Sequence, residues 1–524
     1  MIAAALIARL DARAARIGVI GLGYAGLPLA LRFAELGFPV SGFDTDPGKT
    51  GAINAGRSPV HGIADARVAA AGIAAHAGLA PARECDALLI CVPTPIGPHK
   101  EPDLGAVRDT LAALAPHLRA GQAVSLESTT YPGTTEEYVL PALRAAGLTP
   151  GVDAFAIYSP EREDPGTPAH GVGQVPKLVA GATPACLAVA RALYGPVAGE
   201  LVPVSSLAAA EMTKLYENVF RAVNIGLVNE LKRLCHAMAL DVHEVIDAAA
   251  TKPFGFMPFR PGPGLGGHCI PVDPYYLAWK ARELGLAADF VELAGRVNDA
   301  MPGYTVARLR DALDRRGRTL HGARLLLLGL AYKPGVPDTR ESPAIEIFRL
   351  LAEAGAEVAY HDPLVPRFPA TRRLGGTAPD LASLPLSAAM LAGFDGVVLV
   401  TPQPGMDLAL VRRHARLVLD TRGTFRDVPA APLPAAPLPV SPVAAPPGFA
   451  EPQEPLGPPE APPGAPLVVP LAAPLASPLA SLAGGPLQDD TSGDFPSRAP
   501  GVYEKAAAAS APAPPGGQAV IVQG

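Results

Sequence analysis

The sequence predicts an α/β chain in which two doubly wound units are joined by a central helical region and followed by a disordered, Pro/Ala-rich C-terminal tail. Three observations carry this expectation. Short apolar runs alternate with helical segments from residue 16 to about 205 and again from Arg324, the pattern of parallel sheets covered on both faces. Between these stretches, from Ser206, apolar residues recur at helical spacing, and after Val428 the composition collapses into proline and alanine. A chain of 524 residues is also too long for one core, and length alone leads to roughly three domains of about 150 residues.

Residues 1–8 have no basic region before them and run at once into Arg9, Asp11 and Arg13, so they read as an approach to the first strand and not as a signal peptide. The first unit, 1–205, has strands at 17–20, 39–43, 87–92 and 123–126, with a helix from about Ala25. In the helical region, 206–305, Leu215, Val219, Ala222, Val223, Leu227 and Leu231 line one apolar face. The second unit, 306–428, opens with a strand at 324–328 and continues through a helix over 344–354 to strands at 357–360 and 396–400. Residues 429–524 hold 24 of the 61 prolines, many alanines and only three aromatic residues, a composition that cannot form a packed core. Their stretch 467–487 is apolar, but Pro470, Pro474, Pro478 and Pro486 break any helix there, so no membrane insertion is expected.

With 43 basic against 49 acidic residues and a pI near 6.0, nothing in the charge balance favours nucleic acid or an anionic membrane surface. The five cysteines, Cys85, Cys91, Cys186, Cys235 and Cys269, are scattered and form no CxxC pair. Neither a disulfide framework nor a metal site is indicated, and a reducing cytoplasm fits best.

The run Gly21-Leu-Gly23-Tyr24-Ala25-Gly26 follows the first strand and opens a helix, the context in which this glycine spacing seats a dinucleotide pyrophosphate at a helix N-terminus. The first unit is therefore expected to be Rossmann-like. The second repeats its alternation without a complete fingerprint and is expected to be Rossmann-like too. Asp44 ends the second strand, where a carboxylate accepts the ribose hydroxyls of NAD and repels a 2'-phosphate, so NAD is favoured over NADP. Tyr24, Ala25 and Lys49 complete the expected cofactor contacts around these residues. Thr94 and Thr129 lie in loops after later strands, at the sheet end where ligands bind, and are candidates for cofactor contact; they are equally ordinary turn residues beside prolines.

Far downstream stands Pro261-Gly-Pro-Gly-Leu-Gly-Gly-His268-Cys269. Its glycines, Gly266 among them, leave the backbone free to approach a ligand. A nucleophilic thiol in a nicotinamide-binding chain suits oxidation of an alcohol past the aldehyde to an acid, with the aldehyde held as a thiohemiacetal and then a thioester. His268 or a nearby lysine is expected to draw the thiol pKa from about 8.5 toward neutrality; the plainer alternative is a small buried hydrophobe. Asp273 before Pro274 reads as a helix N-cap. Lys214 and Asn218 share one helix face, and Asn218, Asn224 and Asn229 in one helix suggest polar work or bonds to a neighbouring loop. The turn from Gly329 to Lys333 is a candidate for a nucleotide phosphate.

Together these motifs resemble the UDP-glucose/GDP-mannose dehydrogenase family over about residues 15–425. The quoted runs are Gly21–Pro28, Tyr158-Ser-Pro160-Glu161-Arg162, Lys214-Leu-Tyr-Glu-Asn218, Gly266-Gly-His-Cys269-Ile-Pro-Val-Asp273-Pro and Asp338-Thr-Arg340-Glu-Ser-Pro343. The resemblance implies an NAD domain, a central dimerisation region and a nucleotide-sugar domain, acting as a homodimer or higher homo-oligomer. It further implies four-electron oxidation of a nucleotide-sugar C-6 alcohol for surface polysaccharide, with UDP-N-acetylglucosamine the expected substrate and UDP-N-acetylmannosamine, UDP-glucose and GDP-mannose the alternatives. Cys269 would be the nucleophile, Lys214 and Asn218 would stabilise oxygen as charge develops, Asp273 would position or deprotonate water, and Glu161 would act as general base. Glu161, Arg162, Lys214, Asn218, Gly266 and Lys333 would meet the substrate, and Arg340 the cofactor or sugar near a subunit contact. Arg260 and Pro337 depart from the family pattern. A 3-hydroxyacid dehydrogenase and an NAD-binding scaffold that recruits partners through its tail are the competing expectations.

Overall fold

The computed structural model describes residues 1–162, 173–428 and 519–523. Its first sheet has eight strands: β1 (Ile17–Ile20), β2 (Val40–Phe43), β3 (Ala74–His76), β4 (Ala87–Ile90), β5 (Ala123–Leu126), β6 (Phe155–Tyr158), β7 (Lys177–Gly181) and β8 (Leu201–Pro203), in the order β3-β2-β1-β4-β5-β6-β7-β8. β1, β2, β4, β5 and β6 are buried along their whole length, as central strands covered on both faces must be. Leu27, Leu31, Phe33 and Leu193 pack one face, and Val107, Leu111, Leu114 and Leu143 the other. The one reversal is β7, antiparallel to β6, which the apolar pattern alone did not reveal. Strand order turns at β1, between β2 and β4, and the crevice at the carboxyl ends there is where a doubly wound sheet takes its ligand.

Ser206 accepts a hydrogen bond from the Ala209 amide and so starts the long helix Leu207–Ala237. Leu215, Val219 and Ala222 are buried as expected, but Leu227 is 63% exposed. The buried face turns after Ala222. Gly226 lies against Ala294 of the helix Asp289–Asp299, Asn229 bonds Asn298, and Lys232 reaches the Thr421 carbonyl. The residues that follow the sheet therefore differ from those that follow this second helix.

The second sheet, β9 (Arg324–Leu328), β10 (Glu357–His361), β11 (Gly396–Leu399), β12 (Leu417–Asp420) and β13 (Val520–Gln523), is parallel throughout, in the order β10-β9-β11-β12-β13. Its last strand corrects the expectation of a tail disordered from 429 to 524. Residues 429–518 and 524 lie outside the described residues, but Val520–Gln523 pairs in register with Leu417–Asp420. The β-branched run Val520-Ile521-Val522 supplies the edge that β12 lacks, with Ile521 and Val522 against opposite apolar layers. Among the described residues no helix is long and apolar enough to cross a membrane.

Candidate active site

The cofactor turn is shaped by its glycines. Gly21 has φ +92°, and a Cβ there would lie 2.7 Å from the Cys91 carbonyl oxygen. A Cβ on Gly26 would lie 1.8 Å from the Gly21 carbonyl oxygen, whereas one on Gly23 would meet no protein atom within 4 Å. Gly21 and Gly26 thus close the turn, and Gly23 bares backbone toward open space, a cradle that fits a pyrophosphate. Asp44 accepts from the Leu22 amide at 2.9 Å and from Lys49 Nζ at 3.0 Å. Although desolvation opposes it, these donors and the Asp46 amide hold the Asp44 carboxyl below its ordinary range, so it is ionised and tied to the turn. Thr94 Oγ1 donates to the Thr129 carbonyl at 2.8 Å, joining the loops after β4 and β5. The Arg340 guanidinium lies 5.2 Å from the Tyr24 ring centroid, and the Arg340 carbonyl accepts from the Gly267 amide at 2.9 Å. One residue of the second unit therefore touches both the cofactor turn and the cysteine loop.

Cys269 is half-buried, and its carbonyl accepts the Asp273 amide at 2.8 Å at the start of the helix Asp273–Glu283. Asp273 is itself the first helical residue and makes no cap bond, contrary to the N-cap expectation. Its carboxylate turns inward and accepts from Asn218 Nδ2, while Asn218 Oδ1 accepts from Arg221. Lys214, Asn218 and Asp273 are all buried. Burial pushes the Asp273 carboxyl up to about 6, against the opposing pull of Lys214 and Asn218.

The expected activation of the thiol by His268 is not found, and Lys214, which does pull the thiol down, is outweighed by burial. Burial, with Asp273 adding to it, pushes the Cys269 thiol up to about 12. Desolvation of the imidazole, with Arg340 beside it, pulls His268 down to about 4, leaving a neutral ring with no charge to lend.

Glu161 and Arg162 follow β6. Arg162 forks onto Glu217 of the long helix and donates to the Pro176 carbonyl at 2.6 Å. This pair borders a cavity of about 410 Å³ lined by Val175, Lys214, Tyr216, Phe220 and Arg221 as well, which Lys214 connects to the cysteine cluster. Gly266 and Gly267 lie against Tyr332, beside Lys333: a Cβ on Gly266 would stand 2.6 Å from the Tyr332 Cβ. Among the described residues no group of three His, Cys, Asp or Glu side chains could hold a metal ion.

Residues 15–198 match the NAD binding domain of the UDP-glucose/GDP-mannose dehydrogenase family, 208–300 its central domain and 326–427 its UDP binding domain. The chain belongs to this family. It is similar to the UDP-N-acetyl-D-glucosamine 6-dehydrogenase of Pseudomonas aeruginosa, 37% identical over 387 residues that span 73% of this chain and 89% of that one. It superposes on a UDP-D-ManNAc dehydrogenase from Pyrococcus horikoshii with a TM-score of 0.69 at 30% identity, covering 78% of this chain and 95% of that one. A UDP-glucose dehydrogenase from Pyrobaculum islandicum gives 0.66 at 28% identity, with 78% and 94% covered. This chain is an NAD-dependent nucleotide-sugar dehydrogenase, and the match to a UDP binding domain sets aside the 3-hydroxyacid expectation.

Several residues of this dehydrogenase went unremarked in the sequence. Glu211, buried on the long helix, accepts from the Gly133 and Thr135 amides and the Thr135 hydroxyl, tying the loop after β5 to the helix that carries Lys214. Its place three residues before Lys214 and seven before Asn218, on one face, was the available signal. Arg422 packs against Gly262 and donates to the Val400 carbonyl at 2.7 Å; a charged residue just past an apolar run, at the carboxyl end of β12, could have marked it. Of the three helix asparagines, only Asn218 reaches the cluster. Asn229 accepts the Gly262 amide and holds the cysteine loop from outside, and Asn224 bonds the Phe220 carbonyl of its own helix. Arg260, the departure from the family pattern, pairs with Asp247.

Proposed function

We propose that this dehydrogenase oxidises the C-6 alcohol of UDP-N-acetyl-D-glucosamine to the uronic acid through a thiohemiacetal and a thioester on Cys269, for surface polysaccharide biosynthesis. The observation that carries the reaction is the buried constellation of Lys214, Asn218 and Asp273 around a half-buried thiol, beside a dinucleotide turn. The choice of sugar rests on likeness to the Pseudomonas aeruginosa enzyme.

NAD, when bound, accepts a hydride in each of the two oxidations. The remaining work falls to the chain. Lys214 and Asn218 present donors to the substrate oxygen as it gains negative charge in a site shielded from water. Cys269 starts as a thiol, and Asp273, ionised above about 6, is the neighbouring base that takes its proton as sulfur bonds the aldehyde carbon. Glu161 takes a proton from the water that hydrolyses the thioester. Arg162, Gly266 and Lys333 contribute to the sugar and phosphate site, and Thr94, Thr129 and Arg340 to the cofactor site.

A second copy of this chain is the proposed occupant of an exposed stripe on the long helix: Met212, Tyr216, Phe220, Leu227 and Leu234 lie along one side and stand 39–64% exposed. A two-fold axis brings such a stripe against itself.

The test is NADH formed per sugar with limiting UDP-N-acetyl-D-glucosamine, UDP-N-acetyl-D-mannosamine, UDP-glucose or GDP-mannose, for wild type and Cys269→Ser. Two NADH per sugar, lost in the variant, supports the thioester route and names the substrate. One NADH, unaffected by the substitution, rejects it.

A further inference from the structure

Beneath the loop that carries Glu161 lies a buried polar cluster that the scheme above does not use. Lys177, the first residue of β7, donates from Nζ to Glu127 Oε2 at 2.9 Å and to the Pro160 carbonyl at 3.4 Å. Glu127 directly follows β5, and its other oxygen accepts from the Tyr194 hydroxyl, which lies 2.8 Å from Ser125 Oγ. The side chains of Lys177 and Glu127 are 9% and 1% exposed. A buried ion pair seldom stabilises a fold better than apolar residues of the same volume, so this one calls for a use other than packing.

The register supplies it. β6 and β7 run antiparallel with Ile157 opposite Gly181 and Tyr158 opposite Ala180. Past the ladder, Lys177 Nζ reaches the carbonyl of Pro160, the residue before Glu161. This bond fixes the peptide that enters Glu161, and the Glu161 carboxylate adds to Glu127 in favouring the charged lysine. Glu127 keeps the lysine charged and aimed, and Tyr194 holds Glu127.

We propose that Lys177 is a positioning residue for Glu161, holding its loop in place for hydrolysis of the thioester. The proposal rests on the reading of Glu161 as general base. In that step the water oxygen bonds the acyl carbon as the C–S bond breaks. The sulfur of Cys269 leaves with the electron pair, Glu161 takes one proton from the water, and the new acid loses the other to solvent.

The experiment follows the full-length protein with saturating NAD and UDP-N-acetyl-D-glucosamine by stopped flow, with intact-mass spectrometry for the acyl group on Cys269. Lys177→Met combined with Glu127→Gln leaves neither charge alone. It is expected to give a burst of two NADH per site and then turn over about tenfold or more slowly than wild type, with Cys269 acylated. Lys177→Arg keeps the charge and is expected to hydrolyse within about threefold of wild type. Loss of the burst together with turnover, or an arginine variant as slow as the double variant, overturns the proposal. Glu161→Gln separates it from the reading beneath: unchanged hydrolysis there ends the general-base role, whereas slow hydrolysis there with a fast double variant ends the role of Lys177 alone.

Should the double variant fail to fold, Glu127→Gln alone decides. It removes the charge that aims the lysine at the Pro160 carbonyl and is expected to slow acyl-enzyme hydrolysis about threefold or more, with the burst of two NADH intact and Cys269 acylated. Unchanged hydrolysis overturns the proposal.

Discussion

At Asp273 the requirements of reaction and stability oppose each other. Its carboxyl is buried and titrates near 6 in the fold, above its ordinary value of 3.8. The folded state therefore binds this proton more tightly than the unfolded chain, and ionising the group costs stability as pH rises from about 4 through about 6. The full cost, on the order of 3 kcal/mol, applies above that range. Asp273→Asn is accordingly expected to lose turnover while becoming more stable than wild type. Urea unfolding at several pH values should show the difference growing between about pH 4 and 6 and flat beyond; a difference independent of pH would remove the buried charge as its cause. The residue scale is also where the sequence misled. Cys269, Asp273, Lys214 and Asn218 were legible as a set because motif and helix spacing name them. The protonation of the thiol was not, because it depends chiefly on burial, which is not written in the neighbouring letters.

Elements were legible where pattern and environment coincide. Strands β1, β5 and β9 match the apolar runs because both faces of each are covered, and the long helix starts at its serine cap. Leu227 was misplaced because helical spacing says which residues share a face, and not which neighbour covers it. With Tyr216 it lies on the exposed stripe, so Tyr216→Asp with Leu227→Asp is expected to shift the particle to half its mass in light scattering without loss of helix by circular dichroism. An unchanged mass would reject this stripe as a subunit contact. Strand β13 was hidden for another reason, since four residues of strand character were averaged into a proline-rich surrounding. Deleting 519–523 uncovers Ile521 and Val522 and is expected to cost about 2–4 kcal/mol of the second unit's stability, read as an earlier unfolding midpoint that leaves NAD binding unchanged.

Across the whole molecule the two α/β units repeat one device. Asp44 at the end of β2 accepts the Leu22 amide, and Asp362 just past β10 accepts the Leu330 amide at 2.8 Å. Gly21 and Gly329 turn with φ of +92° and +85°. Asp362 differs in being fully buried, accepting also from Ala331, Leu364 and Gln403, so it presents no face to a ribose. That is why the second unit copies the fold of the first without its cofactor contact. The units meet through Arg340, between Tyr24 and the cysteine loop. Arg340→Ala is expected to raise KM for NAD about fivefold or more while two NADH still form per sugar; equal loss of kcat and no change in KM would assign Arg340 to the chemistry instead. The same sheet carries a consequence for biosynthesis. β12 and β13 are neighbours in space but about a hundred residues apart in the chain, and at roughly 5–20 residues per second a ribosome needs on the order of 5–20 s to deliver the second after the first. During that interval the nascent chain presents the open edge of β12, and whatever else in the cell can pair with a strand has the first opportunity to do so.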